Sequence, residues 1–289
     1  MNETNDKNIA VVHLVWLPYG IELYKNFIQS YINFSAGYEH ELILLFNGVN
    51  DKIDLNPYFD YACTSKVKYN FFSLKEGQDI KAYIWICNKL SDYTHILFLN
   101  SFSKILSNDW LLYYVNAIEV PQVGLVGATG SWESHYTDVF KKYKIAFEFN
   151  QSFKYNFRKY KLFFKAIFYW RFLFCSFPSP HIRTTGFIIN RSLFLQLKRN
   201  KINSKFDAYL FENGKQSMTK QIIKRGYKVL VVNNFGKVFT PEKWYNSKTF
   251  WSFNQENLLI SDNQTEKYQN VEKDEQKKYT LLAWGKFRL

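Results

Sequence analysis

The sequence predicts an α/β protein with a mostly parallel central sheet and helices on both of its faces. Over the first 130 residues, short aliphatic and β-branched runs alternate with segments whose apolar residues recur every three or four positions. This alternation is typical of βαβ units with right-handed crossovers. The run His95–Leu99 is apolar after its first residue and stops at the small polar pair Asn100 and Ser101. A strand of this kind is buried on both faces in a parallel sheet, and ligands gather at its carboxyl end.

Each element follows from a local pattern. Strands are predicted at residues 9–17, 41–46, 67–74, 95–99, 123–126, 184–190 and 227–233, and helices at 21–34, 79–90, 110–118, 192–197 and 216–224. The strands are β-branched runs closed by turn residues such as Pro18 and Gly48, and the helices carry apolar stripes. We expect one domain over residues 1–289, with an insert at about 140–177 and a C-terminal capping segment at about 241–289.

Composition limits the class of protein. A chain of 289 residues with 47% hydrophobic content can bury a sizeable core. The net charge of +13 favours an anionic partner, which can be a nucleic acid, a phosphorylated small molecule or an anionic lipid surface. Three widely spaced cysteines without a CxxC pair disfavour structural zinc and a disulfide framework. With no secretory signal and no run of about 18 apolar residues, we expect a cytoplasmic protein.

The insert is both basic and aromatic. Residues 141–171 hold nine lysines and arginines and one acid, Glu148. On a helix, two stripes would form, one of Phe153, Phe157, Tyr160, Phe164 and Phe168 and one of Lys154, Arg158, Lys161 and Lys165. Such a helix can lie in the interface of an anionic membrane, or it can pack on the sheet with a solvated basic face. Both interpretations remain open.

Two common nucleotide-binding motifs are missing. No GxGxxG follows the first predicted strand, and no GxxxxGK[ST] occurs in the chain. Dinucleotide-binding and P-loop functions therefore lose their main support.

Over residues 9–240 the order of elements resembles the GT-A glycosyltransferases of the family-2-like group. The resemblance is carried by Trp16-Leu17-Pro18-Tyr19, Phe46-Asn47-Gly48, Leu97-Phe98-Leu99-Asn100-Ser101-Phe102, Phe211-Glu212-Asn213-Gly214 and Arg225-Gly226-Tyr227. The third segment stands where the family has an apolar strand followed by Asn-x-Asp or Asp-x-Asp. The fourth is similar to the family's Glu-Asp segment, which precedes a helix.

The resemblance implies transfer of a sugar from a nucleotide-sugar donor to a glycan or lipid-linked acceptor, in the assembly of surface polysaccharide or lipopolysaccharide. We expect an inverting reaction with Glu212, placed in a loop before a helix, as the catalytic base. The predicted donor-binding residues are Trp16, Pro18, Asn47, Asn100, Ser101, Arg183 and Lys220. The predicted acceptor-binding residues are His181, Thr184 and Asp262.

The chain departs from the family pattern at the position of the metal-binding acid and in the Glu-Asp segment. Phe102 stands where the family has its metal-binding acid, and Asn213 replaces the second acid of the Glu-Asp pair. Asn100 and Ser101 are poor ligands for a hard cation, so no metal residue is assigned and a need for Mg²⁺ or Mn²⁺ stays open. The departures leave a second hypothesis, a catalytically inactive protein that binds sugar nucleotide or glycan. A nucleic-acid-binding protein is less favoured, because the basic and aromatic residues concentrate in one insert. The sequence does not indicate an oligomeric state.

Overall fold

The computed structural model describes residues 8–75, 77, 79–141, 165, 167–198 and 201–285. The strands are β1 (Ile9–Trp16), β2 (Glu41–Asn47), β3 (Asn70–Leu74), β4 (His95–Leu99), β5 (Lys104–Ile105), β6 (Val123–Gly127), β7 (Gly130–Ser131), β8 (His181–Ile182), β9 (Gly186–Asn190), β10 (Lys228–Val232), β11 (Val238–Phe239) and β12 (Ile260–Ser261). The helices are α1 (Ile21–Asn33), α2 (Asn56–Thr64), α3 (Asp79–Cys87), α4 (Trp110–Glu119), α5 (Arg191–Leu195), α6 (Lys205–Asn213), α7 (Met218–Lys224), α8 (Asn263–Asn270) and α9 (Lys273–Trp284).

Eight strands form one sheet in the order β11-β10-β6-β9-β4-β1-β2-β3. β1 pairs in parallel with β2 and β4, and the pairs β2–β3 and β6–β10 are also parallel. β9 runs antiparallel between β4 and β6, so that its first residue, Gly186, lies opposite Leu99 at the end of β4. The predicted mostly parallel sheet is therefore confirmed. The reversed strand brings the segment before β9 to the carboxyl edge of the parallel strands.

Helices cover both faces of the sheet, as the alternation of side chains in β1 illustrates. Ala10, Val12 and Leu14 join a core cluster with residues of α3, α5 and α7, whereas Val11 and Val15 join a second cluster with residues of α1 and α4. Because successive side chains of a strand point to opposite faces, a strand that is buried along its length needs a core on each side.

Two of the helices that the sequence reading missed, α6 and α8, begin at capping boxes. Ser204 accepts a hydrogen bond from the backbone N–H of Asp207, whose side chain accepts one from the backbone N–H of Ser204. Asp262 and Thr265 form the same arrangement at the start of α8. The placement of Glu212 in a loop before a helix was wrong. This residue lies in the last turn of α6, because the helix starts at Lys205 and continues to Asn213.

The insert lies only partly within the described residues. Residues 135–141 and 167–173 are helical, whereas the predicted stripes at 153–164 lie outside the described part of the chain. In the C-terminal segment, Trp251, Tyr268 and Trp284 pack into the same cluster as strand residues of the sheet. Within the described part of the chain, every helix is too short or too polar to cross a membrane.

Candidate active site

The carboxyl ends of β1, β2 and β4 meet at one edge of the sheet. The backbone N–H of Trp16, the last residue of β1, donates to Ser101 Oγ at 3.1 Å. Asn47, the last residue of β2, lies opposite Trp16 in the strand register. The predicted donor-binding residues Trp16, Asn47 and Ser101 are thus brought together. Ser101 is also a support for β1, since its hydroxyl oxygen accepts this bond.

Asn47 has an unused acceptor. Its side chain is fully buried and its Nδ2 donates to the carbonyl of Gly77 at 2.8 Å, but its Oδ1 has no partner among the described residues. Gly48, which follows, has a φ of +88°, and a Cβ on it would lie 3.1 Å from Pro18 Cδ and 3.2 Å from the Trp16 ring. Buried amide oxygens are normally hydrogen-bonded. An unpaired one at the end of β2, next to a glycine that packs against an indole and a proline, suits the predicted nucleotide-binding role.

Asn100 does not offer a free oxygen. Its Oδ1 accepts from the backbone N–H of Phe102 at 2.9 Å and lies 3.2 Å from Ser103 Oγ, which closes the turn after β4. The Phe102 ring packs against Tyr19, with 5.0 Å between the ring centroids. Among the described residues no three His, Cys, Asp or Glu side chains come together as a metal site would require. The residues at this position therefore do not fit a divalent cation, which prefers carboxylate oxygens.

A chain of hydrogen bonds joins this turn to the segment before β9. Ser103 Oγ donates to the carbonyl of Thr185 at 2.8 Å, and Thr185 Oγ1 donates to Asp262 Oδ2 at 2.5 Å. The other oxygen of Asp262 accepts from the backbone N–H groups of Gln264 and Thr265, so that it caps α8. Asp262 is 1% exposed. In this structure it ties the C-terminal segment to the edge of the sheet.

Arg183 projects from the same segment and is only partly paired. Its Nη2 lies 3.4 Å from Asp262 Oδ2, and its guanidinium stacks over the Phe250 ring at 4.1 Å from the centroid. Its Nη1 is shielded from solvent and has no hydrogen-bond partner among the described residues. A buried guanidinium donor without an acceptor is costly, so this atom is a candidate contact for a phosphate or sugar oxygen.

Glu212 faces this arginine from the last turn of α6. Its Oε1 accepts from the backbone N–H of Thr184 at 3.1 Å and from Thr184 Oγ1 at 3.4 Å. Burial raises the pKa of the Glu212 carboxyl above its ordinary value, while Arg183 and the Thr184 N–H act in the opposite direction. A raised pKa brings a carboxyl group closer to the range in which it can take a proton near neutral pH.

His181 and Lys220 make hydrogen bonds within the protein next to the site. His181 is 5% exposed, and its Nδ1 lies 2.9 Å from the carbonyl of Ser179. Burial lowers the pKa of His181 to about 3, so its ring is neutral near neutral pH. Lys220 Nζ donates to Ser179 Oγ and to the carbonyls of Asn213 and Gly214, at 2.9, 3.1 and 3.0 Å. All three of its protons are used within the protein, so the structure does not support the predicted contact of Lys220 with the donor.

Three residues whose charge or burial is coupled to Glu212 are not among the predicted site residues. His135 helps to lower the pKa of Glu212 and Glu133 helps to raise it, and both lie between β7 and the insert. Tyr83 of α3 has a buried hydroxyl without a partner among the described residues. Burial raises its pKa, and the charges of Asp79 and Glu212 raise it further. The sequence does not mark Tyr83 as a site residue, because it occupies an apolar position of a helical stripe.

Comparisons with known proteins give similarities of fold. Neither a protein-family model nor a curated protein matches the chain. A mannosyltransferase from Pyrobaculum calidifontis, in complex with GDP-Man and Mn²⁺, shares 10% identity and a TM-score of 0.47, covering 78% of this chain and 55% of its own. The 4-diphosphocytidyl-2C-methyl-D-erythritol synthase from Anaerococcus prevotii shares 12% identity and a TM-score of 0.45, covering 79% of this chain and 89% of its own.

A third similar structure is the apo form of the bifunctional glycosyltransferase WbbM. It shares 11% identity and a TM-score of 0.42, and it covers 98% of this chain and 45% of its own. This chain therefore spans about half the length of both glycosyltransferases. At these identities the comparison concerns the course of the backbone and not the reaction or its substrates.

Proposed function

We propose that this protein is a glycosyltransferase that moves a sugar from a nucleotide-sugar donor to a hydroxyl group of a glycan or lipid-linked acceptor. The observation that carries the proposal is the position of Glu212. A carboxyl group with a raised pKa stands beside Arg183, at the edge of the sheet where the parallel strands end. Ligands of open α/β sheets bind at this edge.

The proposed reaction is a single displacement with inversion. The acceptor oxygen attacks the anomeric carbon of the donor, its proton passes to the Glu212 carboxylate, and the bond from the anomeric carbon to the diphosphate oxygen breaks. The nucleoside diphosphate leaves with the bonding electrons. Arg183 Nη1, which lacks an acceptor among the described residues, is proposed to stabilise the negative charge of the leaving group.

The remaining predicted contacts keep their assignment within this proposal. Trp16, Pro18 and Asn47 would hold the nucleotide, and Thr184 and His181 would lie on the acceptor side. Asp262 holds Arg183 and Thr185, which supports a positioning role in place of a direct contact with the acceptor. We further propose, from the charge of the chain and its insert, that it works at the cytoplasmic face of an anionic membrane.

A second candidate is a protein of this fold that binds sugar nucleotide without transferring the sugar. It is favoured by Phe102, whose ring occupies the place of the family's metal-binding acid and packs on Tyr19. Both candidates predict nucleotide binding, and only the first predicts turnover that depends on Glu212.

The test has two stages. A thermal-shift screen of UDP, GDP, dTDP and CMP sugars, with and without Mn²⁺, identifies a donor because a ligand that binds only the folded state raises its stability. Transfer or hydrolysis of that donor is then compared between the wild type and Glu212→Gln. Gln keeps an oxygen that accepts from the Thr184 N–H but takes no proton, so we expect turnover to fall about 100- to 10,000-fold with nucleotide affinity unchanged.

Near-normal turnover of Glu212→Gln would show that Glu212 is not the catalytic base. Binding of a donor without any turnover by the wild type would favour the non-catalytic candidate. If no donor raised the melting temperature, both candidate functions would be contradicted.

A further inference from the structure

A basic pocket lies next to the candidate active site and shares Lys220 with it. It has a volume of about 370 Å³ and is lined by Lys198, Lys215, Gln216, Lys220, Gln221, Lys224 and Arg225. Five of these seven residues are cationic and none is acidic. Convergence of like charges in a concave surface raises the local concentration of anions and destabilises the empty protein. The pocket thus has the charge of a binding site for a multiply charged anion.

The walls of the pocket are fixed by hydrogen bonds of its uncharged groups. The backbone N–H of Lys198 donates to Gln221 Oε1 at 2.7 Å, and Gln221 Nε2 donates to the carbonyls of Lys198 and Gln216 at 2.7 and 2.8 Å. Arg225 Nη2 donates to the carbonyl of Gln196 at 2.7 Å. These bonds join α7 to the residues that follow α5, so the lysines project from a backbone that is already in place.

Three of the cations are available to a ligand. Lys220 uses its ammonium group within the protein and contributes to the wall of the pocket, and Arg225 has one backbone acceptor. Lys198, Lys215 and Lys224 are exposed, and within the described part of the chain their ammonium groups make no ion pair or hydrogen bond. Three ammonium groups around one cavity suit an ester of phosphate, which offers several charged oxygens.

Two exposed phenylalanines lie on a helical stretch that ends at the pocket. Phe168 and Phe172, one helical turn apart, are 74% and 70% exposed. The same helical stretch ends against the pocket, where the backbone N–H of Lys215 donates to the carbonyl of Leu173 at 2.8 Å and Phe174 bridges to Gly214. Exposed phenylalanines can enter the acyl boundary of a membrane surface, and exposed lysines can bind its anionic headgroups.

We infer that this pocket binds the phosphate groups of anionic lipid headgroups, with Phe168 and Phe172 entering the membrane interface beside it. The inference deepens the proposed placement at an anionic membrane. It does not depend on the proposed sugar transfer, since the three available lysines and the two phenylalanines lie outside the candidate active site. It gives the described part of the chain a membrane-facing surface of its own.

The test is flotation of the full chain with vesicles of phosphatidylcholine, with and without phosphatidylglycerol, in the absence of any donor. The pocket variant carries Lys198→Gln, Lys215→Gln and Lys224→Gln. The control variant loses the same charge at three exposed lysines elsewhere, with Lys52→Gln, Lys68→Gln and Lys278→Gln. A third variant, with Phe168→Ser and Phe172→Ser, tests the two phenylalanines.

We expect the wild type to float with anionic vesicles only. Since each basic side chain near an anionic surface contributes roughly a factor of five, the pocket variant should bind about 100-fold more weakly. The control should bind like the wild type, and the aromatic variant should bind measurably more weakly than the wild type. A thermal melt of each variant confirms that it is folded.

Three outcomes would overturn the inference. They are a wild type that does not float, a pocket variant that floats like the wild type, and a control that loses as much binding as the pocket variant. Inorganic pyrophosphate is titrated in parallel as the soluble probe. If it binds to the wild type and not to the pocket variant, while no vesicle is bound, the pocket serves a free phosphate and the lipid assignment is wrong.

Discussion

His13 allows a quantitative test of how burial shapes the stability of this fold. It lies in the middle of β1 with no exposure to solvent, and its ring stacks on Phe27 with 3.5 Å between centroids. Neither ring nitrogen has a hydrogen-bond partner among the described residues. Burial lowers the pKa of His13 from 6.5 to about 3. The ring therefore stays neutral in the folded protein, while the unfolded chain binds a proton below about pH 6.5.

The sign and the magnitude follow from this difference. A group whose pKa is depressed in the folded state contributes stability that is present above the unfolded pKa and is lost as the pH falls towards the folded pKa. At about pH 5, which is roughly 1.5 units below the unfolded pKa, His13 should have removed about 2 kcal/mol from the free energy of unfolding. His181, whose pKa is lowered to about 3 as well, should remove a similar amount.

Two substitutions separate titration from polarity. His13→Leu removes both the proton-binding group and the unpaired nitrogens, and His13→Asn keeps a buried polar group that does not titrate in this range. Urea unfolding is measured for each protein at about pH 8 and about pH 5. Both variants should lose about 2 kcal/mol less than the wild type between these pH values. At the higher pH His13→Leu should be the more stable variant, because it buries no unsatisfied polar group.

Groups that the three proteins share cancel in this comparison, including Glu212 and Asp79, whose pKa values burial raises. An unchanged loss of stability in both variants would refute the reasoning. It would mean that His13 is protonated in the folded state or does not titrate in the unfolded chain.

Three further predictions concern the candidate site and the insert. Arg183→Gln removes a cation that lowers the pKa of Glu212, so this pKa should rise further and the acid limb of the kcat/KM profile should move to higher pH. An unchanged position of the acid limb would show that Arg183 does not influence the pKa of the catalytic base. Asp262→Ala should lower the free energy of unfolding by roughly 2–4 kcal/mol, because it removes the cap of α8 and leaves Thr185 Oγ1 unpaired. Asp262→Asn, which keeps a capping oxygen, should cost less by urea unfolding, and equal losses would contradict the capping role. If the insert lies in a membrane interface, flotation should weaken when serine replaces Lys154, Arg158, Lys161 and Lys165, whereas unchanged flotation would favour a solvated basic face.

Much of the candidate site could be expected from the sequence because it lies at the ends of predictable strands. Asn100 and Ser101 follow an apolar run, Asn47 precedes a glycine, and Arg183 and Thr184 precede the run that forms β9. In a sheet with parallel strands these ends share one edge. The capping boxes at Ser204 and Asp262 were missed, although Ser-x-x-Asp and Asp-x-x-Thr place a side-chain acceptor three residues before its partner.

Other roles could not be read from residue type. Lys220 looks like a phosphate ligand in the sequence, yet three acceptors within the protein surround its ammonium group. Asn100 looks like a degenerate metal ligand, yet its oxygen closes a turn. In both cases the hydrogen-bond partners are backbone groups or side chains that come within hydrogen-bond distance only in the folded protein.

The sequence by itself determined the class of fold, the two-sided burial of β1 and β4 and the edge of the sheet at which polar groups collect, because these depend on local periodicity and on where apolar runs stop. Only the tertiary structure decided which of those groups are free to act. The antiparallel insertion of β9 sets Thr184 against Glu212, and Asp262, far along the chain, fixes Arg183 at the same edge. The pairing of β9 with β4 and β6 and the burial around Glu212 are long-range outcomes, and no local pattern encodes the pKa that results from them.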